Sequence, residues 1–91
     1  MRKHYVVAVL IKGEPKYFVD CGWLSEEMAK GAWMGIHSMA FYIYKHPAII
    51  LYERDGEYTP FKAVHTCDYP SKGGWYKDVI SISEMEELTK R

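Results

Sequence analysis

The sequence contains no asparagine and no glutamine among its 91 residues. Without asparagine there is no acceptor for N-linked glycosylation. Depletion of both amides is one mark of proteins from very hot environments, because these side chains degrade on heating. Other marks are missing, since charged residues make up an ordinary 26% and five methionines remain. A thermophilic source is therefore one interpretation of this composition.

Net charge is also absent, because 12 Lys and Arg balance 12 Asp and Glu. A domain that binds phosphates along a nucleic acid normally carries a clear positive excess, so nucleic acid is not favoured as a partner. No apolar run approaches the roughly 18–20 residues of a membrane span, and no cleavage pattern follows the first apolar run. We expect a cytoplasmic protein with no membrane partner.

Cysteine is scarce, and the two that occur, Cys21 and Cys67, lie far apart. In a reducing compartment such residues are expected to be free thiols. His65 and Cys67 would share one face of a strand, but no paired Cys-x-x-Cys or His-x-x-x-His accompanies them, and structural zinc normally needs four ligands. A catalytic cysteine–histidine pair could be formed by Cys67 with His65 or by Cys21 with His46, but no local motif supports either pair. We expect no metal, no cofactor and no catalytic residue.

Hydrophobic patterning predicts one α+β domain over residues 1–91, with an antiparallel sheet and the element order ββαβββα. Runs rich in β-branched residues predict strands near 4–11, 16–21, 48–53 and 58–66. A last short strand is expected between 75 and 82. Asp55-Gly56 predicts a type I′ hairpin turn, and Pro60 indicates that the following strand lies at an edge or starts late.

One main helix is predicted on one face of the sheet, with a short helix at the C-terminus. Ser25 is a good N-cap, and Glu26-Glu27 suit the positive end of a helix dipole. Apolar residues then recur at three-four spacing for about 15–20 residues. Residues 41–46 fit either helix or strand, and we favour a helix that ends before His46. The segment Ser83–Glu86 has the pattern of a capping box that opens the short helix.

Gly31 and Gly35 lie four residues apart and therefore on one side of the main helix. Each costs up to about 1 kcal/mol relative to alanine in a helix interior. Close packing of the helix on the sheet is the simplest compensation. The alternative is a tight helix–helix contact between two copies of the chain, which makes Gly31 and Gly35 the candidate residues for self-association.

Aromatic residues make up 15% of the chain, more than a domain of this size readily encloses. Exposed aromatic side chains commonly contact a protein or a ligand. They flank a Ser-Lys-Gly-Gly loop whose backbone amides and lysine are suited to an anion. The candidate binding residues are Tyr69, Lys72, Gly73, Gly74, Trp75 and Tyr76.

The best reading is a small non-enzymatic binding or regulatory protein that acts through protein–protein contacts and self-associates. An inhibitor, adaptor or accessory protein, of the type found in viruses and mobile elements, has this profile by analogy. A second hypothesis is a binder of a nucleotide or another phosphate-bearing small ligand, with its site at an oligomer interface. A third is a Cys/His enzyme or metal site.

Overall fold

The computed structural model describes residues 1–67 and 74–90, so the predicted site residues Tyr69, Lys72 and Gly73 lie outside the described residues. The strands are β1 (Lys3–Ile11), β2 (Glu14–Leu24), β3 (Ala48–Arg54), β4 (Phe61–Cys67) and β5 (Val79–Ile80), and the helices are α1 (Glu26–Ile43) and α2 (Ile82–Thr89). The α+β class and the predicted order ββαβββα are confirmed.

The five strands form one sheet in the order β2-β1-β3-β4-β5, and every neighbouring pair is antiparallel. β1 and β3 lie at its centre, where Val6 pairs with Tyr52 and Val9 with Ile49. Their side chains are buried on both faces of the sheet. This explains why both strands are continuous apolar runs rather than alternating ones.

The two helices cover opposite faces of this sheet. Ala29 and Ala40 of α1 pack with one set of alternating strand residues. Met85 of α2 packs with the other set, and Leu88 lies against the same cluster. Because side chains alternate along a strand, the buried central strands supply an apolar surface to each helix.

The turn in which a glycine adopts a positive φ is not the predicted one. Lys12 (φ 56°) and Gly13 (φ 79°) form the two-residue connection between β1 and β2, as in a type I′ turn. The type I′ turn predicted at Asp55-Gly56 is wrong: Gly56 is not in the left-handed region, and β4 begins only at Phe61. Pro60 has no N–H for the ladder, so the strand starts late, as one predicted alternative states.

Both helices begin at a serine. The Ser25 hydroxyl accepts a hydrogen bond from the Met28 N–H at 3.3 Å. α1 continues to Ile43, so the favoured helix that ends before His46 is confirmed, and residues 44–46 lie beyond it. α2 is capped by Ser81, two residues before the predicted capping box. Capping at Ser81 places Met85 on the sheet, where it is 2% exposed.

The fully buried Tyr52 ties β3 to the segment before β5. Its hydroxyl donates a hydrogen bond of 2.7 Å to the carbonyl of Lys77. In Tyr52→Phe the Lys77 carbonyl loses this donor, and we expect the free energy of unfolding to fall by about 1–2 kcal/mol. Urea unfolding measures the change. Tyr58→Phe is the matched control, because Tyr58 is 92% exposed; an equal loss in both variants contradicts the role assigned to the Tyr52 hydroxyl.

Candidate functional site

The predicted loop site is described only at its C-terminal end. Gly74 is exposed, whereas Trp75 and Tyr76 are half-buried against the sheet face that α2 covers. The Trp75 ring meets Phe18 edge-on at 5.6 Å, and its backbone N–H donates to the Gly13 carbonyl at 2.8 Å. These contacts give Trp75 a packing role. A ligand at this loop stays a prediction.

Gly31 and Gly35 are placed on the side of α1 that faces away from the sheet. Both are exposed, and a Cβ built at either position meets no atom within 4 Å. The expected close packing of these glycines on the sheet is therefore wrong. No described residue packs against either glycine to offset its cost to the helix, so their second predicted role, in contact between copies, stays a prediction.

The surface around these glycines is apolar and extends along the whole helix. Met28 is 57% exposed, Met39 63% and Tyr42 93%. From residue 31 to residue 43 the helix carries no Asp, Glu, Lys or Arg. We call this surface the α1 outer face, and its residues are Met28, Gly31, Gly35, Ser38, Met39 and Tyr42.

The spacing within the α1 outer face is that of a helix that packs against another helix. Met28, Gly31, Gly35, Ser38 and Tyr42 follow one another at intervals of three and four residues. This is the a and d spacing of a helix–helix contact. The opposite side of α1, with Ala29, Trp33, Ile36 and Ala40, is the one that packs on the sheet. α1 therefore packs on the sheet with one side, and its outer face is exposed.

A polar network lies near the other face of the sheet, between β2, β1 and β3. Arg54 Nε donates to His4 Nδ1 at 3.0 Å, and His4 Nε2 lies 2.7 Å from Asp20 Oδ1. Because a guanidinium only donates, this geometry assigns the ring proton to Nε2, which donates to Asp20. Both imidazole nitrogens are then engaged, so His4 acts as a bridge that orients Arg54.

The same network borders a cavity of about 170 Å³ under α2. The Arg54 guanidinium lies over Trp23 and Phe61, at 5.1 and 5.4 Å from their ring centres. Pockets for drug-sized ligands span about 300–1,000 Å³, so this cavity is too small for a nucleotide. The cavity is lined by His4, Val6, Asp20, Arg54, Phe61, Ile82, Met85, Glu86 and Thr89.

A thiol and an imidazole meet at the edge of the α1–sheet contact. Cys67 Sγ lies 2.7 Å from His37 Nε2, so the histidine partner of Cys67 comes from the helix and differs from the two pairings drawn from the sequence. The positions are 30 apart along the chain, and no local motif links them. Only the placement of α1 over β4 brings them together.

No metal site is formed by the described side chains, since residues 1–67 and 74–90 contain no group of three or more His, Cys, Asp or Glu in a suitable arrangement. In that same part of the chain, no helix is both long enough and apolar enough to cross a membrane. Comparisons with protein-family models, with curated proteins and with solved structures gave no match. The function is therefore argued from the geometry alone.

The carboxylate of Asp20 makes the stability of this network depend on pH. Burial raises its pKa, but the hydrogen bonds from His4 and the Gly22 N–H, with the positive charge of Arg54, outweigh burial and hold the pKa below its ordinary value. A lowered pKa stabilises the fold above the unfolded-state pKa of about 3.9, and this stabilisation is lost as the pH falls through the folded-state value.

We therefore expect the wild-type protein to lose more stability than Asp20→Asn when the pH falls from about 7 to about 2.5. Urea midpoints of both proteins across this range give the measurement. Glu14→Gln is the matched control, because Glu14 is an exposed carboxylate on the same strand. If Asp20→Asn shows the same acid sensitivity as the control, the Asp20 contacts do not stabilise the fold.

Proposed function

We propose that this chain is a small non-enzymatic binding protein that acts through protein–protein contacts, and that the partner seated on the α1 outer face is a second copy of the chain. The observation that carries the proposal is this face itself: it is exposed and largely apolar, and a Cβ built at Gly31 or Gly35 meets no described atom within 4 Å outside the backbone of the helix. A regulatory or accessory role, as inhibitor or adaptor, would use the resulting dimer.

The composition of the face suits a close contact. Gly31 and Gly35 leave room for another backbone to approach, whereas a side chain at either position would hold it away. The methionines beside them, Met28 and Met39, are flexible and fill irregular gaps between packed surfaces. Contact with a second helix would bury these exposed side chains, and so offset the cost of about 1 kcal/mol that each glycine imposes on an isolated helix.

The charges at the ends of α1 favour an antiparallel pair related by a two-fold axis. Glu26 and Glu27 lie in the first turn, and Lys45 and His46 follow just beyond the last turn, exposed. In an antiparallel pair the acidic end of one helix meets the basic end of the other, and the helix dipoles oppose each other favourably. A two-fold interface repeats this match at both ends.

We expect Gly35→Arg to convert the dimer into a monomer. The substitution places a long charged side chain at the centre of the α1 outer face, while the monomer has open space there and arginine favours helix more than glycine. Sedimentation velocity across a concentration series measures the state, and thermal unfolding checks the fold.

The matched control for this experiment is Thr59→Arg, which adds the same side chain at an exposed loop position and should leave the dimer intact. A wild-type protein that stays monomeric up to millimolar concentration, or a Gly35→Arg dimer as tight as the wild type, contradicts the proposed surface. If Gly35→Arg is monomeric but also thermally destabilised, Gly31→Arg takes its place in the same comparison.

We expect a charge exchange to report the direction of the pair. Glu27→Lys and Lys45→Glu should each weaken dimerisation by roughly two- to thirtyfold, since an exposed ion pair contributes about 0.2–1 kcal/mol and a two-fold axis repeats it. Combining both substitutions should restore part of the loss at low salt, where screening is weak. If the double variant shows only the product of the two single effects, the antiparallel arrangement is wrong.

The nucleotide or phosphate-ligand hypothesis stays a prediction. Three of its residues, Tyr69, Lys72 and Gly73, lie outside the described residues, and Trp75 and Tyr76 are engaged in packing on the sheet. No observation among the described residues favours it over the α1 outer face.

A further inference from the structure

Cys67 lies at the end of β4, on the sheet face that α1 covers, and its partner His37 lies on the flank of that helix. The Sγ–Nε2 distance of 2.7 Å places the thiol and the imidazole in hydrogen-bonding contact. Both residues are half-buried rather than enclosed. The dyad is separate from the α1 outer face.

The imidazole of His37 is held in place by two aromatic rings of the same helix. Trp33 is stacked with it at 6.3 Å, and Phe41 meets it edge-on at 4.5 Å. Trp33 is fixed in turn, because its indole N–H donates to the Ile49 carbonyl at 3.2 Å, and Ile49 is paired with Cys67 across the sheet. The histidine and the cysteine are thus anchored to the same pair of strands.

The second cysteine has a different hydrogen-bond partner. Cys21 lies on β2, where its Sγ is 3.7 Å from the Val19 carbonyl. Burial, with the nearby negative charge of Asp20, raises the pKa of the Cys21 thiol. Because the thiolate is the nucleophile, Cys21 should be the slower thiol at neutral pH. The chain therefore contains an internal reference for the reactivity of Cys67.

We propose that Cys67 is a nucleophilic thiol, activated by His37, that takes up low-molecular-weight disulfides as a reversible modification. The Cys67 S–H proton passes to His37 Nε2, and the thiolate attacks one sulfur of the disulfide RS–SR. The bond between the two reagent sulfurs breaks as the new Cys67–S–S–R bond forms, and the second sulfur leaves as RS⁻, which takes up a proton. A second thiol reverses the exchange.

Among the described residues, the ionisable groups that act on this reaction come from both packed elements; Asp68, which follows Cys67 in the sequence, lies outside them. His37 is the group on α1. On β4, His65 lies two residues before Cys67 and on the same strand face, with its ring 5.6 Å from Trp33. The strand opposite Cys67 contributes the apolar Ile49. The pH dependence of Cys67 labelling therefore contains contributions from both histidines.

The test compares alkylation rates of the two thiols by mass spectrometry, with iodoacetamide as the probe. At pH 7 we expect Cys67 to react about tenfold faster than Cys21, because an unassisted thiol is only a few per cent thiolate there. Cys67→Ser and Cys21→Ser assign each rate to one residue. Equal rates for the two thiols in the wild-type protein overturn the proposal, and this comparison needs no variant at His37.

The role of His37 is tested by His37→Gln, which retains a polar side chain but cannot accept the thiol proton. We expect the Cys67 rate at pH 7 to fall by roughly tenfold, and its pH profile to shift toward the ordinary thiol range near 8.5. Met34→Gln, one turn away and 60% exposed, is the matched control and should leave both unchanged.

A pH profile that is the same in His37→Gln and in the wild type overturns the activation step. Glutathione disulfide then serves as the second probe: the expected result is a mixed disulfide at Cys67 that forms first and is removed by dithiothreitol. A mixed disulfide that forms at Cys21 at the same rate contradicts the assigned site.

Discussion

β1 and β3 lie side by side at the centre of the sheet, and water reaches almost none of their side chains. Burial of apolar surface at about 25 cal/mol per Å² is the main stabilising term for a domain of this size. A pair of strands that is apolar on both faces stays buried only if each face is covered. α1 covers one face and α2 the other, and the segment that contains Trp75 completes the second cover.

This arrangement, with one helix on each face of the sheet, explains why the α1 outer face is exposed to solvent. A single layer of helix covers each side of the sheet, so one side of α1 packs inward and the other faces solvent. On most surface helices the outward side is charged; here it holds glycines, methionines and Tyr42. The same placement of α1 sets the His37–Cys67 contact, because the helix crosses the end of β4 where Cys67 lies. The proposed self-association and the proposed thiol reactivity thus both depend on where α1 packs on the sheet.

Much of the fold could be predicted, because continuous β-branched runs, the serine caps and three-four spacing are local signals. The conformation of the turn at Lys12-Gly13 could not be predicted, because no sequence pattern indicates that a lysine adopts a positive φ. Gly31 and Gly35 were located on one helix side correctly, but their exposure depends on which side faces the sheet. The thiol–imidazole contact joins residues 30 apart, and only tertiary packing brings these together. Sequence also could not separate packing from binding at Trp75.

A distance between two copies of α1 tests the central claim most directly. With cysteine-free protein (Cys21→Ser and Cys67→Ser), a spin label at Met34→Cys or at Ile43→Cys can be measured by pulsed dipolar spectroscopy, since both positions are exposed and lie outside the α1 outer face. Residue 34 lies at the middle of the helix, so an antiparallel pair should bring its labels to roughly 15–20 Å, whereas labels at residue 43 should lie roughly 25–35 Å apart. A shorter distance at residue 43 than at residue 34, or no dipolar coupling at either position, would contradict the account.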